Sequence, residues 1–111
     1  MAEELPLEIS CEEVHTLRES REELTLVDCR QPEEHAIVHL AGSTLVPMGD
    51  VPSRVAELAA APGRLVVYCH HGMRSAQTAA WLRENGAPGA QSMAGGVDAW
   101  AERIDPSLAR Y

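Results

Sequence analysis

The chain has no lysine and no phenylalanine, and aromatic residues make up only 4% of its 111 residues. The absence of lysine excludes a lysine Schiff base and any phosphate-binding loop that relies on a lysine side chain. Without phenylalanine, the interior has to be filled by Leu, Val, Ile, Ala and Met, since 45% of the chain is hydrophobic. This composition favours helices packed on a sheet.

Long apolar runs and an excess of positive charge are also missing. No stretch approaches the ~20 apolar residues that span a bilayer, so the sequence does not support a membrane role. The formal net charge is −8, and eleven of the seventeen acidic residues lie at or before Glu34. Because phosphate binding needs clustered Lys and Arg, we expect no direct nucleic-acid partner.

The three cysteines, Cys11, Cys29 and Cys69, make an odd count and form no C-x-x-C pair. The chain opens with Met-Ala-Glu-Glu rather than a basic, apolar signal segment, so we expect a cytoplasmic protein. Its length predicts one domain over residues 1–111. We expect fraying at the first few residues and after Asp105.

Hydrophobic patterns and turn residues predict strands that alternate with helices. The predicted strands cover 5–9, 24–29, 44–46, 65–68 and 90–93. The predicted helices cover 11–20, 32–38, 50–61 and 76–85, with a last helix after Gly95-Gly96. Ser10 is the predicted cap of the first helix. Apolar residues at helical spacing are predicted to face the core at Val55, Leu58, Ala59, Ala76, Ala79, Ala80 and Leu82. The last helix carries Val97 and Trp100, and Trp100 is predicted to be a packing or surface residue. The alternation predicts an α/β domain with a mostly parallel central sheet of about five strands and helices on both faces.

The motif Cys69-His70-His71-Gly72-Met73-Arg74-Ser75 joins a predicted strand to a predicted helix. If the loop curls at Gly72, backbone N–H groups from about 70 to 75 can converge on the Cys69 sulfur, with the positive end of the helix behind them. Arg74 adds a permanent positive charge. A thiol in this place is expected to ionise readily, which identifies Cys69 as a candidate nucleophile.

Motifs spread along the chain resemble those of single-domain rhodaneses. Cys69 to Ser75 is similar to the active-site loop of that family. Three further segments resemble its other signatures: 27–35 (VDCRQPEEH), 39–43 (HLAGS) and 94–100 (AGGVDAW). Departures from the family pattern are modest: Cys29 stands where an aliphatic residue is usual, Val38 replaces a glycine and Ala41 replaces a proline.

The resemblance implies a sulfurtransferase that works by double displacement. Cys69 would take sulfur from a small donor such as thiosulfate or a persulfide, and the resulting Cys69 persulfide would pass it to cyanide or a thiol, including a protein thiol. No cofactor is expected, and the chain is expected to be a monomer or a weak homodimer. His70, His71, Gly72, Met73 and Ser75 would shape the pocket mainly through their backbone N–H groups.

Arg74 is predicted to bind an anionic donor, and a salt bridge is the alternative role. It could hold the sulfonate or carboxylate of a donor, because a guanidinium pairs bidentately with an oxyanion. It could also form a salt bridge with an acidic neighbour, as surface arginines usually do.

The sequence of the loop also allows other functional interpretations. Phosphatases and arsenate reductases of related fold place more residues between cysteine and arginine than the four found here, so the resemblance favours a sulfur-sized pocket. A metal site at Cys69, His70, His71, His35 and His39 lacks the usual ligand spacing, and we expect no metal. A non-catalytic interaction module, or a sulfur carrier that serves only a protein partner, is the main alternative.

Asp28, Cys29 and Arg30 follow one another at the end of a predicted central strand. Asp28 and Arg30 are predicted to form an ion pair that anchors neighbouring loops. Cys29 is predicted to be a small buried hydrophobic residue, because free cysteines are often buried. If its strand lies next to that of Cys69, Cys29 could instead act as a resolving thiol.

Overall fold

A computed structural model describes residues 5–111 of the chain. Five strands form one sheet: β1 (Glu8–Ile9), β2 (Leu24–Asp28), β3 (Thr44–Leu45), β4 (Arg64–Tyr68) and β5 (Gln91–Met93). All neighbouring strands pair in parallel, in the order β1-β5-β4-β2-β3. The predicted parallel α/β sheet is therefore confirmed.

The α-helices are α1 (Cys11–Glu19), α2 (Pro32–Ile37), α3 (Val55–Ala59), α4 (Met73–Glu84) and α5 (Gly96–Arg103), and a 3-10 helix, Met48–Arg54, leads into α3. Two apolar clusters cover the two faces of the sheet. On one face, α1 and α5 pack against β2 and β4, and on the other face α3 and α4 do so. The prediction of helices on both faces is confirmed, because alternate residues of each central strand enter opposite clusters.

Helix α1 begins where its capping residue was predicted. The Ser10 hydroxyl accepts a hydrogen bond from the Glu13 N–H at 3.0 Å, which satisfies one of the free N–H groups of the first turn. None of the helices within residues 5–111 is long and apolar enough to cross a bilayer.

Several details differ from the sequence-based expectations. Strand β1 is limited to Glu8–Ile9, and the helix predicted from 50 begins as the 3-10 helix Met48–Arg54. Helix α4 begins at Met73 rather than at 76, because Gly72 turns the chain directly into the helix. Ala80 is exposed, since the inner face of α4 is formed by Ser75, Thr78, Ala79 and Leu82, whose helical spacing excludes position 80. Ala59 is also exposed, because α3 is only five residues long and buries Leu58 alone.

The strand order brings the ends of β2 and β4 together in the middle of the sheet. Asp28, the last residue of β2, is paired in register with Tyr68, the last residue of β4. The loops that follow these strands therefore leave the sheet side by side, at the edge where ligand sites of parallel sheets lie. Cys29 and Cys69 are the first residues of these two loops.

Candidate active site

The loop after β4 curls at Gly72, as the sequence predicts. Gly72 has a φ of 103°, a left-handed conformation that side chains rarely adopt, and it caps α4. A Cβ atom at this position would lie 3.0 Å from the backbone nitrogen of Gly95. Both the turn and the close approach of the two segments therefore require glycine.

The Cys69 sulfur lies inside this curl. Its Sγ atom accepts hydrogen bonds from the N–H groups of Gly72 at 3.1 Å and Ser75 at 3.4 Å. Both N–H groups lie at the start of α4, so they combine direct hydrogen bonds with the positive end of the helix. Such a setting stabilises negative charge on sulfur. Cys69 is only 1% exposed.

The first turn of α5 holds the loop through hydrogen bonds to the loop carbonyl groups. The N–H groups of Val97 and Asp98 donate to the carbonyl oxygens of Cys69 at 2.9 Å and His70 at 3.1 Å. These bonds direct the loop carbonyls towards α5, leaving N–H groups of the loop available to the sulfur. A Cβ atom at Gly96 would lie 2.4 Å from both carbonyl oxygens. The absence of a side chain at Gly96 thus permits this contact.

Ser75 connects the loop to β5. Its hydroxyl group lies 2.7 Å from that of Ser92 and 3.3 Å from the carbonyl oxygen of Gly72, and all three residues are buried. Ser92 was not predicted as a site residue, because nothing in its local sequence distinguishes it from an ordinary strand position. Its hydroxyl contact fixes the first turn of α4 against the sheet.

Arg74 forms a bidentate ion pair with Glu34 of α2. Its two terminal nitrogens lie 2.8 and 3.0 Å from the two carboxylate oxygens. Hydrogen bonds from Arg74 lower the pKa of Glu34 to about 2, and the same pair raises the pKa of Arg74. The salt bridge that was one of the two expected roles of Arg74 is therefore present. Glu34 itself was missed, because a contact between residues 40 positions apart leaves no local signal.

His70 and His71 differ in their surroundings. The His70 ring stacks on Tyr111 with centroids 3.9 Å apart and 6° between the planes, and it also contacts the ring of His71. Burial lowers the pKa of His70, and His71 lowers it further. The His70 Nε2 atom is buried and has no hydrogen-bond partner among the described residues. His71 is exposed, and its Nε2 atom lies 3.6 Å from the carboxylate of Asp98.

Within residues 5–111, His70, His71 and Asp98 form a group that could approach a metal ion, since one ligand atom of each lies within 4.8 Å of the others. Asp98 is already paired with Arg110 at 3.0 Å, so a metal would compete with a guanidinium. His35 and His39 lie apart from this cluster. They stack on each other, and His35 Nδ1 lies 2.8 Å from Asp28.

Tyr111, to which sequence reasoning assigned no role, reaches the same region. Its hydroxyl group donates to Glu34 Oε2 at 2.7 Å and accepts from Arg30 Nη1 at 2.6 Å. The tyrosine thus contacts His70 of the loop directly and contacts Arg74 through Glu34.

The predicted ion pair between Asp28 and Arg30 is confirmed and is completely buried. Arg30 donates through Nε and Nη2 to the two Asp28 oxygens at 2.8 and 2.7 Å. Because hydrogen bonds from Arg30 and His35 outweigh its burial, the pKa of Asp28 is lowered. This pair fixes the end of β2, from which α2 and Glu34 follow.

The two other cysteines are also buried. Cys29 packs in the same apolar cluster as Cys69, and burial, together with Cys69, raises its pKa to about 12. The prediction that Cys29 is a small buried residue is confirmed. Cys11 lies in the cluster on the other face of the sheet, and its thiol donates to the carbonyl oxygen of Ala94 at 3.6 Å.

Comparison with known proteins shows the family of this parallel α/β domain. The family model described as rhodanese-like domain covers residues 10–103, and the chain belongs to this family. It is 34% identical, over 93% of its length, to the probable adenylyltransferase/sulfurtransferase MoeZ of Mycobacterium tuberculosis, and it spans 26% of that protein. It is also 32% identical to a sulfurtransferase of Allochromatium vinosum, over 92% of this chain and 94% of that protein.

Solved structures share the fold. The human single-domain sulfurtransferase TSTD1 superposes with a TM-score of 0.77 at 26% identity, over 89% of this chain and 98% of that one. The chain therefore spans about a quarter of the length of MoeZ and nearly all of the Allochromatium and human proteins.

Proposed function

We propose that the protein is a sulfurtransferase that carries a sulfane sulfur on Cys69. The observation behind this proposal is the pair of N–H groups, from Gly72 and Ser75, that donate to the Cys69 sulfur. Preorganised donors around a sulfur favour a thiolate and would equally favour the terminal sulfur anion of a persulfide. Membership of the rhodanese-like family, and relatives named sulfurtransferase, support the same activity.

The proposed reaction has two steps. The Cys69 thiolate attacks the outer sulfur of a donor such as thiosulfate, a new S–S bond forms, and the old one breaks as sulfite leaves with the electron pair. A nucleophilic acceptor, either cyanide or a thiolate, then attacks the outer sulfur of the persulfide. Thiocyanate or an acceptor persulfide forms, and Cys69 returns as thiolate.

The remaining loop residues have supporting roles in this proposal. His70, His71, Gly72, Met73 and Ser75 would shape the pocket through their backbone, and the side chain of Met73 is 78% exposed. Arg74 would hold the anionic part of a donor. Because Glu34 engages both terminal nitrogens of Arg74, a donor has to share that guanidinium with the carboxylate or displace it.

A sulfur carrier that serves only a protein partner is the second candidate. The exposed side chain of Met73, four residues after Cys69 in the chain, offers a protein partner an apolar contact on the same loop. Such a carrier would form the same Cys69 persulfide but would transfer sulfur poorly to small acceptors. Oxyanion chemistry is less well supported, because the loop has only four residues between cysteine and arginine.

The test is the rate of thiocyanate formation from thiosulfate and cyanide. We expect Cys69→Ser to remove all turnover. Cys11→Ala is the matched control, since it removes another buried cysteine on the opposite face of the sheet and should retain turnover. Turnover that survives in Cys69→Ser would refute the proposal. A wild-type persulfide that forms without turnover would indicate the partner-specific carrier.

A further inference from the structure

We propose that Tyr111 is a specificity-determining residue of the Cys69 site. The Tyr111 side chain covers one side of the loop and holds Glu34 on Arg74, so that small anionic reagents reach Cys69 slowly. This inference rests on the proposed function of Cys69. The proposal has two parts: the Tyr111 ring shields the loop, and the Tyr111 hydroxyl group controls the charge at Arg74. They can therefore be separated by substitution.

The cover is the stacked contact with His70. The Tyr111 and His70 rings are nearly parallel at 3.9 Å, and His70 is the residue directly after Cys69. The preceding residue, Arg110, is tied to α5 by a bidentate contact with Asp98 at 3.0 and 3.1 Å. Asp98 also donates its N–H to the carbonyl oxygen of His70. The segment that carries Tyr111 is thus fastened to the same part of α5 that holds the loop.

The charge effect passes through the Tyr111 hydroxyl group. This group donates to Glu34 Oε2, while the other carboxylate oxygen accepts from Arg74 at 2.8 Å. Arg30 donates a further hydrogen bond to the hydroxyl oxygen at 2.6 Å. The tyrosine therefore keeps Glu34 in the position at which it neutralises the permanent cation of the loop.

These contacts have a consequence for access to the sulfur. Cys69 is 1% exposed, so a reagent can reach it only if neighbouring side chains move. Of the side chains beside it in the loop, His70 is held directly by Tyr111, and Arg74 is held through Glu34. The three arginines of this region are all paired with carboxylates, Arg30 with Asp28, Arg74 with Glu34 and Arg110 with Asp98. A small anion that approaches the Cys69 loop therefore meets none of these three guanidinium groups unpaired.

Alkylation of Cys69 tests the proposal without requiring sulfur transfer. Iodoacetamide and iodoacetate have similar size but differ in charge, and peptide masses distinguish Cys69 from Cys11 and Cys29. We expect Tyr111→Ala to raise both rates about two- to tenfold, the scale of one lost aromatic contact. Tyr111→Phe keeps the stacked ring and loses the hydroxyl contacts, so we expect it to raise only the iodoacetate rate.

Ser107→Ala is the control, because Ser107 lies in the same segment and, among residues 5–111, its hydrogen bonds go to Asp105. It should react like the wild type, and thermal unfolding should show that all variants are folded. If Tyr111→Ala is alkylated at the wild-type rates, the Tyr111 ring does not shield Cys69. If the ratio of iodoacetate to iodoacetamide rates is unchanged in Tyr111→Phe, the Tyr111 hydroxyl group does not control the charge at the site. If alkylation changes as expected but no variant forms thiocyanate, the inference on access is supported and the proposed function fails.

Discussion

Glu34 shows at the scale of one residue how the site controls charge. It accepts hydrogen bonds from Arg74, from Tyr111 and from the N–H of Gln31, and together they hold its carboxylate at the mouth of the loop. Its pKa falls from an ordinary value of 4.5 to about 2. The carboxylate is therefore charged at any pH at which the protein would work.

This pKa shift predicts a pH-dependent contribution to stability. A carboxylate whose pKa is lower in the folded state stabilises the fold above its unfolded value, and this stabilisation is lost as the pH falls through the folded value. We expect Glu34→Gln to lower the free energy of unfolding by about 1 kcal/mol at pH 7, because the pair is partly exposed. The difference from wild type should shrink between pH 4.5 and about 2.

Urea unfolding at several pH values measures this effect. Glu57→Gln is the control, since Glu57 pairs with Arg54 on the surface and the solvent screens that pair. Its effect should be smaller than that of Glu34→Gln. A Glu34→Gln difference that stays constant down to pH 2 would mean that the ion pair is not its source.

Cys29 gives a second prediction at this scale. Its buried thiol, with a pKa of about 12, is a weak nucleophile at neutral pH even though it packs in the same cluster as Cys69. We expect Cys29→Ala to retain turnover within about twofold and to lose about 1 kcal/mol of stability from the small cavity. Peptide mapping after mild oxidation should find no Cys29–Cys69 disulfide, whereas such a crosslink would restore the resolving role for Cys29.

At the scale of elements, the site depends on two helix starts that meet at one loop. The start of α4 donates to the Cys69 sulfur, and the start of α5 donates to the loop carbonyls. The two starts approach closely because glycines stand at 72, 95 and 96, each with a positive φ. The loop is therefore held in one shape before any substrate binds, which is the condition for preorganised stabilisation of charge.

Gly96→Ala tests this arrangement. Its φ is 62°, and the added methyl group would lie 2.4 Å from two carbonyl oxygens, so we expect a loss of about 1–3 kcal/mol in stability together with a loss of turnover. Gly89→Ala is the matched control, since a methyl group there meets no atom within 4 Å. Unfolding curves and turnover of the two variants would be compared. Equal behaviour would show that the contact of α5 with the loop is not required.

At the scale of the whole molecule, the sequence predicts the layers of the fold well. Strand and helix periods depend on neighbouring residues, so the parallel sheet, the Ser10 cap and the loop of Cys69 could all be found from local patterns. The predicted pairing of Asp28 with Arg30 also depends on residues close in sequence. Exposed alanines at 59 and 80 were misplaced, because alanine fits both a core and a surface.

The sequence could not predict which distant residues meet at the loop. Glu34 and Tyr111 are 77 positions apart, and only the folded chain brings their side chains to Arg74 and His70. Likewise, the hydroxyl contact between Ser75 and Ser92 depends on β5 lying beside β4. The local motif identifies the candidate nucleophile, whereas the residues that surround it are brought together only by the tertiary structure.

The intact mass of the protein after reaction with thiosulfate alone tests the central claim most directly. We expect the wild type to gain the mass of one sulfur atom, to carry it on Cys69 by peptide mapping, and to lose it when cyanide is added. Cys69→Ser should gain nothing, and Cys11→Ala should behave like the wild type. If the wild type gains no sulfur from thiosulfate or from a thiol persulfide, or if Cys69→Ser still gains it, Cys69 is not the sulfur carrier.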